Sequence, residues 1–182
     1  MSGKTTTLFA LCVLLVFLST PPVAKAQLDS LTSTVNLSAV VSETLTVLAS
    51  PSVVNFTLVA NSTASGSTPI SITTTWALGQ TRTSVSLYAY FSNPSSALTE
   101  PLGIDIPSAN VRGSVNSGAF TSFTGVSPFS TGGSITVFTE SIGVTNVAKT
   151  RTDTLALQVN TSGLTLASGI YTGVLVFQAQ AI

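Results

Sequence analysis

The residues that could do chemistry are few. Histidine is absent, and the one cysteine, Cys12, lies near the N-terminus. Ser-His-Asp and Cys-His nucleophiles, histidine-based metal sites, zinc clusters and thiol redox therefore lack their side chains. A Ser–Lys dyad would have to use Lys149, which stands in Val147-Ala-Lys-Thr-Arg151 with no Gly-rich turn beside it. Glycoside hydrolysis needs two carboxylates at a set separation. Glu100 and Asp105 share one loop-like stretch, Glu140 and Asp153 fall in or beside strand-like segments, and no spacing brings two of them together. They read as isolated surface carboxylates. Asp105 has neither an EF-hand spacing nor an Asp-rich repeat around it to hold calcium. The expectation is a protein that is not an enzyme, with no catalytic residue, no metal and no cofactor. A hydrolase built on Glu100 or Asp105 is the rival reading.

Binding has more material. Ser86, Tyr88 and Tyr90 alternate with Val85, Leu87, Ala89 and Phe91. On a strand, Tyr88 and Tyr90 would stand side by side on the outer face, where such rings stack on sugars or simply pair across strands. Lys149, Arg151 and Asp153 recur at every second residue and would point to one side, as edge-strand charges that block unwanted pairing do.

Strands must position these residues, because period-two alternation dominates the chain. Val35, Leu37, Ala39 and Val41 alternate with polar neighbours, and Leu45 and Val47 follow a break. Val54, Phe56 and Leu58 come after Pro51; Ile70, Ile72, Thr74, Trp76 and Leu78 follow the turn-rich 61–66 stretch. Each set has strand length and lies between turn signals. Trp76 shares the apolar side and reads as core. Residues 99–133, rich in Gly, Pro and Ser, predict loops with short strands near 110–115 and 119–123. Regularity returns in 134–140, 152–160 and the terminal segment, where Leu175, Phe177, Ala179 and Ala181 face the core. No stretch carries a helical stripe. The expectation is an all-β, antiparallel two-sheet β-sandwich, with a closed barrel second.

The N-terminus gives an address. Lys4 precedes the apolar run Leu8–Leu18, and Ala24-Lys-Ala26 is an A-x-A cleavage signal. That run falls short of the roughly 20 residues a bilayer crossing needs. Residues 1–26 are expected to be a signal peptide and residues 27–182 a single domain, with no membrane span. Without the signal, Arg82, Arg112, Lys149 and Arg151 face Asp29, Glu43, Glu100, Asp105, Glu140 and Asp153. This slightly acidic balance offers no attraction to nucleic acid. No cysteine remains for a disulfide.

The segment Gly169-Ile-Tyr-Thr-Gly-Val-Leu-Val176 enters the last strand through Gly-x-Tyr-x-Gly. It resembles the closing strand of bacterial secreted immunoglobulin-like modules of the spore coat U and chaperone–usher pilin type. The likeness covers about 20 residues. The chain departs from that pattern at Ala181, where pilins favour an aromatic, and in having no disulfide. The resemblance implies an immunoglobulin-like sandwich finished by a strand from a neighbour. The donor would be the leading segment with Leu31, Ser33, Val35, Leu37, Ala39 and Val41; the alternative is that this segment folds into its own domain. The functional expectation is a secreted or cell-surface structural protein, a bacterial fibre, pilus or coat subunit that self-associates by strand complementation. A carbohydrate-binding or adhesin module using Tyr88, Tyr90 and the 99–133 loops, with a glycan as partner, is the alternative.

Overall fold

The computed structural model describes residues 28–102, 104–126, 129 and 132–182. The expected signal peptide, residues 1–26, lies outside them. The chain divides into two units, Met1–Ala39 and Val40–Ile182. Residues 28–39 of the first carry no regular secondary structure, and all are exposed.

The second unit holds the strands β1 (Thr44–Ser50), β2 (Thr63–Ser65), β3 (Ile70–Ala77), β4 (Ser84–Tyr90), β5 (Leu98–Thr99) and β6 (Asp105–Ile106). These are followed by β7 (Val111–Val115), β8 (Thr121–Ser122), β9 (Ser134–Ser141), β10 (Ala148–Asn160) and β11 (Val176–Ala181). Apart from a 3-10 turn at Ser108–Asn110, no helix occurs among the described residues. Every strand pairing is antiparallel. The largest sheet runs β1-β3-β10-β7-β8 with β2 also paired to β10; the second runs β11-β4-β9; β5 and β6 form a small third. The sheets are open, so the barrel alternative does not apply.

Alternation explains the core. In β3, Ile70, Ile72, Thr74 and Trp76 are buried while Ser71 and Thr75 are exposed. Leu155, Leu157 and Val159 of β10 and Val85, Leu87 and Ala89 of β4 join them in one hydrophobic cluster. Each fully hidden aliphatic side chain contributes about 1.5–3 kcal/mol. Thr74 is the exception, a fully buried hydroxyl without a partner.

Two expected strands take no ladder. Residues 35–41 have no strand, and 54–58 alternate half-buried with exposed yet lie outside every sheet. Alternation reports which side is hidden, but a strand also needs an adjacent edge to bond. A third difference lies in β9. Between Leu87 and Tyr88 the register with β4 shifts, leaving Val137 unpaired. Ile135 faces inward before this bulge, and Phe138 and Glu140 face inward after it, opposite Leu87 and Val85. The extra residue reverses the strand's parity.

Candidate functional site

A groove lies between two lengths of chain that have no strand partner along one side among the described residues. After β1 ends at the cis Ser50–Pro51 peptide, the backbone continues through Val54, Phe56 and Leu58 to Ala60. Its hydrogen bonds there are sparse: Asn55 exchanges bonds with Ser67, at 2.8 Å to its carbonyl and 3.1 Å from its amide. The Val59 carbonyl accepts from Thr161 Oγ1 at 2.6 Å. The facing wall is the approach to β11. Thr172 exchanges two backbone bonds with Thr99, at 2.8 and 2.9 Å. Peptide groups alternate sides along an extended chain, so those of Tyr171 and Gly173 point away from Thr99, into the groove.

Between these walls is a space of about 990 Å³. Its floor includes Ile70, Phe91, Val111 and Val159, all at most 5% exposed and all members of the core cluster. Phe56 and Phe177 line the walls. The main core therefore ends in an apolar trough whose flanking backbone has few partners among the described residues, the local arrangement a missing strand would leave. At the rims Val53, Ile170 and Val174 are 63%, 78% and 75% exposed.

The Gly-x-Tyr-x-Gly segment has a structural reason at each fixed position. Tyr171 donates its hydroxyl to the Ala167 carbonyl at 3.1 Å, tying the bend that precedes the strand. Gly173 passes so close to the Ala97 carbonyl that a Cβ would collide with it. Gly169 packs on Glu100, which is 8% exposed and accepts from the Leu102 amide at 2.9 Å.

The proposed donor residues are as open as the groove. Leu31 is 98% exposed, Leu37 92%, and Val35 and Val41 are 79% and 90%; Ser33 and Ala39 are exposed too. The chain then enters the sheets at Thr44, beside Glu43. That carboxylate accepts from Arg82 at 2.8 Å and from the Gly79 amide at 2.6 Å. The Arg82 bond, with Gly79 second, holds the Glu43 carboxyl down at about 2.

Across the molecule the opposite seam is shut. The first half of β10 pairs with β3 on one side and has no strand on the other, because β7 stops at Val115. Asn116, at φ 48°, takes over: its side chain accepts from the Thr154 amide at 2.8 Å and donates to Asp153 Oδ1 at 2.7 Å. Arg151 grips Asp153 through two bonds of 2.8 Å and reaches Glu140 of β9 at 3.3 Å. Lys149 donates to Glu140 at 2.6 Å. Beneath them Trp76 and Phe138 stack at 6.2 Å, with the Arg151 guanidinium 4.4 Å from the Phe138 ring. Burial alone pushes the Asp153 carboxyl up, but bonds from Arg151 and Asn116 outweigh it and leave it below the usual range. The Lys149 bond holds Glu140 down against its own desolvation.

This network corrects the expectation of isolated surface carboxylates. Glu140 and Asp153 meet through Arg151, and Asp153 is 1% exposed. The bulge at Val137 turns Glu140 inward, and loop closure brings Asn116 alongside; neither leaves a mark in the spacing. Lys149, Arg151 and Asp153 do share one side, the inner one. Glu100 lies apart against Gly169, and Asp105 sits in β6. Among the described residues no group of three His, Cys, Asp or Glu could hold a metal ion.

Tyr88 and Tyr90 neighbour one another on β4; Tyr90 is buried and Tyr88 half-buried. Phe129 lies 6.0 Å from each ring, Tyr90 is 9% exposed, and its hydroxyl donates to Gln178 at 2.8 Å. Nothing in the Gly- and Ser-rich sequence around Phe129 marked it as their cover. No helix among the described residues is long and apolar enough to cross a membrane. No family model matches the chain, and neither does any curated protein.

Proposed function

We propose that the protein is a secreted, non-enzymatic structural subunit of a bacterial fibre or coat. In this reading it is an immunoglobulin-like β-sandwich short of one strand, which residues 31–41 of the next copy supply. The observation that carries it is the groove: core residues at its floor, and walls whose peptide groups find few partners among the described residues. A strand laid there would bond both edges and cover the floor at once. The leading segment has the matching pattern, with apolar side chains at alternate positions and no charge from Ser30 to Ser42.

Chain geometry favours donation over self-completion. The segment joins the fold at Thr44, while the groove begins at Ala49, near the other end of β1. A leader doubling back would first retrace β1, about 23 Å at roughly 3.3 Å per residue. Too little of 31–41 would then remain to fill the trough. Passing the segment to a neighbour meets no such limit, and repetition gives a head-to-tail chain.

The test is light scattering on the purified protein and on a variant lacking residues 27–41, each with and without a synthetic 31–41 peptide. Concentration-dependent oligomers are expected of the full protein. The deleted form should be a monomer that binds the peptide and melts higher with it. A full protein that stays monomeric at high concentration, with a deleted form indifferent to the peptide, would overturn the proposal.

A further inference from the structure

The outer face of β1, β3 and β10 is a grid of small uncharged side chains. Ladder register aligns Thr46, Thr75 and Thr150 in one rank across the three strands, with Leu48, Thr73 and Thr152 in the next. The flanking ranks are Thr44, Ala77, Ala148 and Ser50, Ser71, Thr154. Each of the twelve is exposed or half-buried, and none is charged. The charges of β10 all lie on its other side. Cross-strand bonds order the hydroxyls: Thr75 Oγ1 meets Thr150 Oγ1 at 3.0 Å, and Thr73 Oγ1 meets Thr152 Oγ1 at 3.3 Å. Thr46 Oγ1 donates to the Thr75 carbonyl at 3.4 Å.

Chemistry narrows what such a face can hold. It has no aromatic ring, so a sugar finds no stacking platform. It has one large apolar side chain, Leu48, and none of the Trp, Tyr or Arg anchors that concentrate energy at protein interfaces. It carries no charge to draw an ion or a charged polymer. What it does carry is a two-dimensional repeat of hydroxyl and methyl groups, about 4.8 Å between strands and about 6.7 Å along them. Each hydroxyl keeps spare hydrogen-bonding capacity after its cross-strand bond. These spacings lie near the two oxygen repeats of a prism face of ice.

We propose that this face binds ice. The threonine ranks hold first-layer water near lattice positions, and the methyl groups fill the gaps between them. Strand twist of roughly 20° per neighbour confines the match to the central ranks. The protein therefore slows the growth of ice grains more than it lowers the freezing point. This does not rest on the assembly reading, since the grid faces away from the groove-lining core.

The experiment follows grain growth in a frozen sucrose film containing the purified protein, with serum albumin at equal concentration as reference. Grains are expected to stay small with the protein and to coarsen with albumin. Thr75→Lys and Thr150→Lys put a long charged chain in the central rank and should raise the effective concentration roughly tenfold or more. Thr165→Lys, in an exposed loop away from the grid, should match the parent. Thr46→Lys, on an edge strand, serves if a central variant does not fold, as read by its melting curve. Grain growth equal to that in albumin would overturn the proposal, as would central lysine variants as active as the parent. Dimerisation that Thr75→Lys abolishes, with no effect on ice, would assign the face to a second copy and overturn it equally.

Discussion

The two sheets leave a seam on each side, and the chain treats the two differently. Where β9 faces the first half of β10, Arg151 spans the gap between Asp153 and Glu140, and Asn116 caps the bare edge. Where the 51–60 segment faces the approach to β11, no described side chain spans the gap, and the core residue Val159 lines the space between them. Both seams pose one problem, since diverging edges expose backbone and core together. A seam closed by its own side chains contributes to stability, whereas the open one is the place where the proposed donor strand would lie. The proposed function rests on this difference, and it can be broken experimentally.

The largest effect should come from Asp153→Ala, which strands Arg151 beside a buried edge. A loss of about 3 kcal/mol is expected from urea unfolding. The matching change in the open seam, Val54→Ala, should cost about 1 kcal/mol or less, because that side chain is half-exposed already. Equal costs would erase the contrast.

Next, Phe56→Arg should weaken binding of the 31–41 peptide to the shortened protein by roughly a hundredfold, about 2.7 kcal/mol, with the melting temperature nearly unchanged. Calorimetric titration measures the first and a thermal scan the second. Unaltered binding would remove Phe56 from the groove's function.

Acid should act on the closed seam, and on the exposed Glu43–Arg82 pair, but not on the groove. Glu140 and Asp153 have folded-state values below their ordinary ones. Their contribution is complete above the ordinary carboxylate range, about 4, and is lost as pH falls through the lowered values. Melting temperatures should therefore decline below about pH 4. The decline should be much shallower in Asp153→Asn, while peptide binding by any still-folded protein stays constant.

The smallest effect has the opposite sign. Thr74→Val replaces an unpartnered buried hydroxyl with a methyl of like volume, and should stabilise by about 1 kcal/mol in the same urea assay. A loss would mean that the hydroxyl has a bonding role.

The alternation of Ile70, Ile72 and Trp76, of Leu155, Leu157 and Val159, and of Leu175, Phe177 and Ala179 made the inner faces legible from the residues alone. In β3 it worked because one side is hidden and the other is wet; in β11 nearly every residue is half-buried, so the pattern is weaker there. Residues 31–41 carry the same alternation, yet they form no strand and every one of them is exposed. The groove's first wall was half-legible: Val54, Phe56 and Leu58 look like a strand, and the sequence has no way to show that the segment joins no sheet. The ionic seam was illegible. It joins residues 116, 140, 149, 151 and 153 through a turn and a bulge, and neither alters the local pattern of residue types. Phe129 was missed similarly, as one ring in a stretch whose composition says only loop.

Val137 carries a further implication. Its surplus length acts as a change of phase within β9, so everything downstream is displayed on the reverse of where simple counting would put it. Deleting that one residue would leave net charge and composition almost untouched. Yet Glu140 would swing outward, Arg151 would lose its tie to the second sheet, and the far corner would come unlatched. In this strand the count of residues, more than their kind, sets the wiring.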